Sequence, residues 1–177
     1  MLSITSNPPP ACPPGDVALF QALVLEGGEV DPNDLPQRIA RAQRLAFALF
    51  DDNLVGVGAL KSPNSSYRKS VFTKSGTPRS PSAFPLELGW VYVKPEYRGC
   101  GISGRLVQEL MATARGKNVF ATSRTDNHAM HRSLEHSGFV RDGKPYASGI
   151  RIAKLQLFVR VDAQPALAAD APQAARR

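Results

Sequence analysis

Residues 86–110, LELGWVYVKPEYRGCGISGRLVQEL, constrain this chain more than any other stretch. They read as a strand over 86–93, a turn opened by Pro95, a glycine-bearing loop over 98–104, and a helix. The helix places Ile102, Leu106, Val107, Leu110, Met111 and Ala114 on one face. A loop of this kind presents several backbone N–H groups at a helix N-terminus, and Gly99 and Gly101 carry no side chain to block a ligand. Free donors and the positive end of the helix dipole together suit a phosphate. Function on this reading begins with a phosphorylated ligand.

Two phosphate motifs fit these letters. Gly99-Cys100-Gly101-Ile102-Ser103-Gly104 satisfies the dinucleotide pattern G-x-G-x-x-G, with Arg124 about 20 residues on as a partner for a 2′-phosphate. That motif wants its first glycine directly after a strand in a repeated βαβ array, whereas Lys94 to Arg98 intervene here and a single further strand-helix unit follows. The second match is longer. Val93-Lys94-Pro95-Glu96-Tyr97-Arg98-Gly99-Cys100-Gly101-Ile102 resembles the acetyl-CoA loop of the GNAT superfamily of N-acyltransferases, Arg/Gln-x-x-Gly-x-Gly/Ala after V-x-P-x-x. Ser103 replaces the usual small Gly or Ala. Asn127-His128-Ala129-Met130 through Leu134-Glu135-His136-Ser137-Gly138-Phe139 resembles the second block of that family, N-x-x-A/M…L-x-x-x-G-F.

The resemblance covers roughly residues 45–160. It implies an α/β (α+β) fold: a mixed, mostly antiparallel twisted sheet of 6–7 strands flanked by about four helices, parted at the strand before the loop so that pantetheine lies in the gap. It implies acetyl-CoA as cosubstrate. Backbone amides of Gly99, Cys100, Gly101, Ile102, Ser103 and Gly104, with Arg98, would hold the pyrophosphate. Main-chain groups of Val91 and Val93 would pair with pantetheine, and Asn127 would contact CoA or cap its helix.

Composition sets bounds. At 177 residues and 42% hydrophobic, the chain is long enough for one domain with a sizeable core. It shows no apolar run of about 18 residues and no leader pattern, and Cys12 and Cys100 make no disulfide framework. A cytoplasmic protein without membrane partners is the expectation. A net charge of +7 favours anionic ligands, CoA phosphates and nucleic acid alike.

In order, residues 1–15 form a proline-rich N-terminal segment with a short strand over 2–5, and 16–162 form the acyltransferase domain. Helices are expected over 16–26, ended by Gly27-Gly28, and over 31–43. Strands over 45–50 and 54–60 flank the turn-rich Asp51-Asp52-Asn53. Residues 61–85 carry Lys61, Arg68, Lys69, Lys74 and Arg79, seven serines, four prolines and no acid. They read as a solvated basic insertion loop with a short helix over 67–72. A nucleic-acid surface with Tyr67 and Phe72 for stacking is the competing reading. A strand over 118–123 leads to the second block, Ala153, Leu155, Leu157 and Val159 alternate as the closing strand, and residues 163–177 read as disordered.

Amide formation needs a neutral amine, so a base must take the ammonium proton. Strict alternation along 86–93 sets Leu86, Leu88, Trp90 and Tyr92 against Glu87, Gly89, Val91 and Val93. The resemblance makes Glu87 the candidate base, since some members of the family place a glutamate on this strand. Many relatives protonate the departing thiolate with a tyrosine at the position of Leu134, so the pattern is broken there. Tyr146, in Gly143-Lys144-Pro145-Tyr146 between the last two strands, is the substitute candidate. His128, His131 and Glu135 share a helix face but lack further ligands, so no metal is expected, and an acyl-cysteine route through Cys100 is disfavoured because the loop acts through its backbone. The expected activity is direct acetyl transfer to a primary amine, on a small molecule or a protein, in a ternary complex. A CoA-binding module without catalysis and a nucleic-acid-binding or acylating protein are the alternatives, and a homodimer stays open.

Overall fold

The structure, a computed structural model, describes residues 1–149 and 152–162; the tail expected over 163–177 lies outside them. Seven strands form one sheet in the order β1-β2-β3-β4-β5-β7-β6. They are β1 (Leu2–Asn7), β2 (Arg44–Phe50), β3 (Asn53–Lys61), β4 (Leu86–Val93), β5 (Val119–Arg124), β6 (Val140–Ala147) and β7 (Lys154–Arg160). Every neighbouring pair is antiparallel except β4 with β5. Five helices flank it: α1 (Pro14–Gly27), α2 (Leu35–Ala40), α3 (Ser65–Ser75), α4 (Ile102–Thr113) and α5 (His128–His136).

Local chemistry explains most boundaries. Pro14 opens α1, where a missing N–H costs nothing, and Gly28 ends it at φ 67°. Asp51 and Asp52, at φ 45° and 62°, turn β2 into β3. Helix α2 is shorter than the expected span 31–43. At its start the Asp31 carboxylate accepts from the Asn33 N–H in a turn, and at its end Gln43 N–H donates to Leu60 O at 2.8 Å, joining the sheet instead.

The segment 61–85 is the main correction. It is not a solvated loop. Asn64 caps α3 by accepting from Tyr67 N–H at 2.7 Å, and Gly76 closes the helix at φ 65°. Phe72, available for stacking on the competing nucleic-acid reading, is buried with Phe84 and Phe120 against β5 and β7, its ring meeting that of Phe120 edge-on at 5.4 Å. Arg79 pairs with Asp142 of β6.

The sheet has a core on each face. Helix α4 packs Leu106, Val107 and Leu110 against Ala46, Leu88 and Val119. On the other face α1 and α2 bury Phe20, Val24, Leu35 and Ile39 over β2 and β3, and α3 covers β5 and β7. No helix among the described residues is long and apolar enough to cross a membrane.

Candidate active site

Strands β4 and β5 pair only at Leu86↔Val119, Glu87↔Phe120 and Leu88↔Ala121. Beyond that point β4 stays with β3, up to Gly56↔Val93, while β5 stays with β7, up to Arg124↔Leu155. The two inner edges part, and a cleft of about 730 Å³ opens there, lined by α3, β4, β5, the α1–α2 connection and the end of β6.

A bulge in β4 shapes its floor. Register jumps from Val57↔Tyr92 to Ala59↔Gly89, so Trp90 and Val91 together stand opposite Gly58, and Trp90 takes the left-handed φ of 54°. Strict alternation placed Glu87 on the face of Val91 and Val93; the bulge overturns this. Leu86, Leu88, Val91 and Val93 all pack toward α4, Trp90 and Tyr92 pack toward α1, and Glu87 lies on the side of Trp90.

Glu87 is 3% exposed. Its Oε2 lies 2.9 Å from Lys61 Nζ, and its Oε1 accepts from the Tyr67 hydroxyl at 3.1 Å. Lys61 Nζ also stands 5.0 Å over the Trp90 ring. Tyr146 does not lie between strands but on β6, opposite Leu155, after a register shift that includes Gly143. It lines the same cleft as Glu87, and its hydroxyl is buried with no hydrogen-bond partner among the described residues. Burial, and after it the Glu87 charge, pushes the Tyr67 and Tyr146 phenols well above their ordinary range. Both stay protonated at neutral pH. Leu134, where the expected pattern is broken, is fully buried in the core.

The loop after β4 forms the other end of the site. Gly99 and Gly101 adopt φ 82° and 75°, and a Cβ on either would meet nothing within 4 Å. Bonding within α4 starts with Arg105 N–H to Gly101 O at 3.1 Å, which leaves the first-turn amides of Ile102, Ser103 and Gly104 without an acceptor inside the helix. Arg98 Nε donates to Val93 O at 2.9 Å, with its guanidinium 5.6 Å over the Tyr92 ring. Cys100 is exposed. Ser103 Oγ lies 3.0 Å from Ser133 Oγ, tying α4 to α5. Val91 and Asn127 line the cleft, and Asn127 also caps α5 by accepting from Met130 N–H at 3.1 Å.

Arg124 is paired with Glu29 at 3.2 Å and Asp126 at 3.1 Å, joining the end of β5 to the α1–α2 connection. Of the histidine face only His131 is buried, and His128 and Glu135 are exposed: His131 Nε2 lies 2.9 Å from Arg124 O, and its Nδ1 3.4 Å from the Arg141 guanidinium. Among the described residues no group of three or more His, Cys, Asp or Glu is arranged to hold a metal.

Sequence reasoning treated Lys61 and Tyr67 as parts of a basic surface, yet both contact Glu87. It also passed over Ser123, whose Oγ is buried without a partner among the described residues and which lines the cleft. One available signal was Gly89 beside Trp90: a glycine inside a strand marks a bulge or a close approach.

A buried carboxylate and a protonated phenol sit where a sheet parts, and a helix N-terminus open to phosphate follows from the same strand. That combination suits acyl transfer from a phosphate-bearing carrier. The chain belongs to the acetyltransferase (GNAT) family, whose model matches residues 18–139. It is similar to the N-alpha-acetyltransferase RimI of Mycobacterium tuberculosis, with 42% identity over 60 residues; the shared stretch spans 34% of this chain and 38% of that protein. Its fold is similar to that of Escherichia coli ElaA, with a TM-score of 0.66 at 15% identity over 91% of this chain and 100% of the other. Arabidopsis thaliana Naa50, in complex with the bisubstrate analogue CoA-Ac-MVNAL, has a TM-score of 0.61 at 15% identity over 90% and 99%.

Proposed function

We propose that this chain transfers the acetyl group of acetyl-CoA to a primary amine by direct attack in a ternary complex, and that the amine is the free α-amine of a peptide or protein. The observation that carries the reading is the placement of Glu87 and Tyr146 in one cleft at the parting of β4 and β5.

Acetyl-CoA supplies an acyl group activated as a thioester. The amides of Gly99, Cys100, Gly101, Ile102, Ser103 and Gly104, with Arg98, would bind its pyrophosphate. The inner edge of β4 around Val91 and Val93, which leaves β5 here and where Arg98 already bonds the Val93 carbonyl, would take the pantetheine arm, with Asn127 on the facing side. Glu87 accepts the ammonium proton, which frees the nitrogen lone pair. Attack leaves a second proton on the nitrogen; as the C–S bond breaks, Tyr146, whose hydroxyl has no partner among the described residues, gives its proton to the departing thiolate, and its phenolate takes the proton left on the nitrogen.

Charge supports the α-amine. The Lys61–Glu87 pair carries no net charge with which to draw in an ammonium ion. With α-amino groups titrating near 7.7–8.0 and lysine near 10.4, about one α-amine in ten is neutral close to pH 7, against fewer than about one lysine in a thousand. The similarity to an N-alpha-acetyltransferase, and the peptide-bearing analogue held by a protein of the same fold, point the same way.

The test is CoA release with lysine-free peptides bearing open N-termini, beside N-blocked peptides that contain lysine. Turnover is expected on the first set, reduced about 10²- to 10⁴-fold by Glu87→Gln. Preference for the blocked, lysine-bearing set would overturn the acceptor assignment. Acetyl-CoA binding without turnover on any amine would reduce the protein to a CoA-binding module.

A further inference from the structure

Lys61 and Glu87 are direct cross-strand partners in the β3–β4 ladder. The lysine does not reach for solvent. Its side chain, 16% exposed, runs along β4 over Gly89, and its ammonium ends between Glu87 Oε2 and the Trp90 ring. A Cβ on Gly89 would stand 2.7 Å from Lys61 Cε and 2.8 Å from Nζ. Gly89 is not among the glycines with a positive φ, so its backbone does not call for glycine. What requires glycine there is the space the lysine fills.

Glu87 has little water around it. A carboxylate at this depth, with no counter-charge, would be driven to its neutral form and lose the ability to accept a proton. From the surrounding elements it meets Lys61 on β3, Tyr67 on α3 and Tyr146 on β6. From β5 its neighbours include Phe120, its ladder partner, and Thr122, which bonds Tyr67; neither ionises. Both phenols stay protonated, and the cation in contact with Glu87 is Lys61; Arg38 and Arg41 from the α2 side, Lys74 from α3 and Arg124 from β5 line the same cleft.

We propose that Lys61, seated in the space left by Gly89, is a positioning residue of the transfer reaction that maintains Glu87 as a carboxylate ready to take the acceptor's proton. The proposal rests on Glu87 as the proton acceptor. It also gives Trp90 a task. When the proton arrives on Glu87 the lysine loses its ionic partner, and the indole face keeps the ammonium in place until that proton leaves.

The test compares pH profiles of kcat/KM for the wild type, Lys61→Met and Gly89→Ala, each first shown to be folded by its melting midpoint. Gly89→Ala puts a methyl where the ammonium sits, and a flexible side-chain end can yield without disturbing the sheet. Loss of an opposite charge at this range corresponds to about 1–3 pH units. The limb along which activity falls on acidification is therefore expected to move up by that amount in Lys61→Met, and in the same direction by less in Gly89→Ala. Profiles that coincide with wild type would overturn the proposal. A carbon-13 titration of glutamate-labelled protein, with the Glu87 signal assigned by its loss in Glu87→Gln, reads the same charge without turnover. An upward-moved Glu87 midpoint in Lys61→Met supports the role, and an unmoved one overturns it. Absence of turnover in wild type would count against the acetyltransferase reading alone, since the titration still decides on Lys61.

Discussion

Replacing Tyr146 with phenylalanine should make the protein more stable and less active. The ring packs against the cluster of Phe72, Phe84, Phe120, Leu157 and Val159, and phenylalanine keeps that packing. Only the hydroxyl goes, and it is buried without a partner among the described residues. A buried hydroxyl in that state costs about 1–3 kcal/mol. Recovering about 1 kcal/mol raises the melting midpoint by about 2–4 °C in a chain of this length. If the same hydroxyl protonates the departing thiolate, turnover falls by about 10²- to 10⁴-fold. The assay pairs thermal unfolding of the free protein with steady-state release of CoA. A lower midpoint would show that the hydroxyl is bonded in the folded protein. Unchanged turnover would remove Tyr146 from the chemistry.

Phe72→Ala empties a fully enclosed site under α3 and should cost about 3–5 kcal/mol, read from urea midpoints; a loss below about 1 kcal/mol would mean that α3 is not anchored there. Gly101→Asp places a carboxylate at a left-handed position beside the free α4 amides, and calorimetry should show acetyl-CoA affinity reduced about tenfold or more. Unchanged affinity would refute the assignment of this loop to the pyrophosphate. Burial raises the Asp142 carboxyl, but hydrogen bonds from Thr77, at 2.7 Å, and Arg79 outweigh it and hold the group below the usual carboxylate range. A lowered carboxyl supports the fold above its unfolded value near 3.9, and that support is lost as pH falls through the folded value. Thr77→Val should therefore be destabilised at pH 7, with the deficit shrinking toward pH 3; a deficit independent of pH would refute the linkage.

The features legible in the sequence are those set by local rules. The strand, loop and helix from Leu86 to Thr113 follow from apolar periodicity and from two glycines whose φ values are indeed positive. Gly28 and Asn127 act as the stop and the cap that their residue types suggest. What was hidden depends on distant partners. Helix α3 lacks an apolar stripe because it buries Val71, Phe72 and Ser75 alone, and the value of Phe72 comes from Phe84 and Phe120, far along the chain. The end of α3 rests on Gly143, where a Cβ would fall 2.4 Å from Ser75 O, so a glycine that reads as a turn serves inside a strand. The bulge at Trp90 reversed the facing of every later residue in β4, and alternation counted along a string cannot register an inserted residue. Glu87 therefore lines the cleft on the opposite face of β4 from the one that alternation assigned to it.

The parting of β4 and β5 also bears on how such a protein could fail. Past Leu88 and Ala121 the ladder behaves like a fastener stopped after three teeth, with two rows of backbone groups facing each other across an unclosed seam. Exposed on an outer edge, such rows would invite a foreign strand. Here they face inward, and a thin extended chain slipped between them is the natural filler. The stop itself lies beside the kink at Trp90. A variant that straightened β4 would tend to run the seam closed and give a better-bonded sheet with no room for anything in it. On the proposed function an incomplete hydrogen-bond pattern is itself the binding site, and completing it would abolish the site.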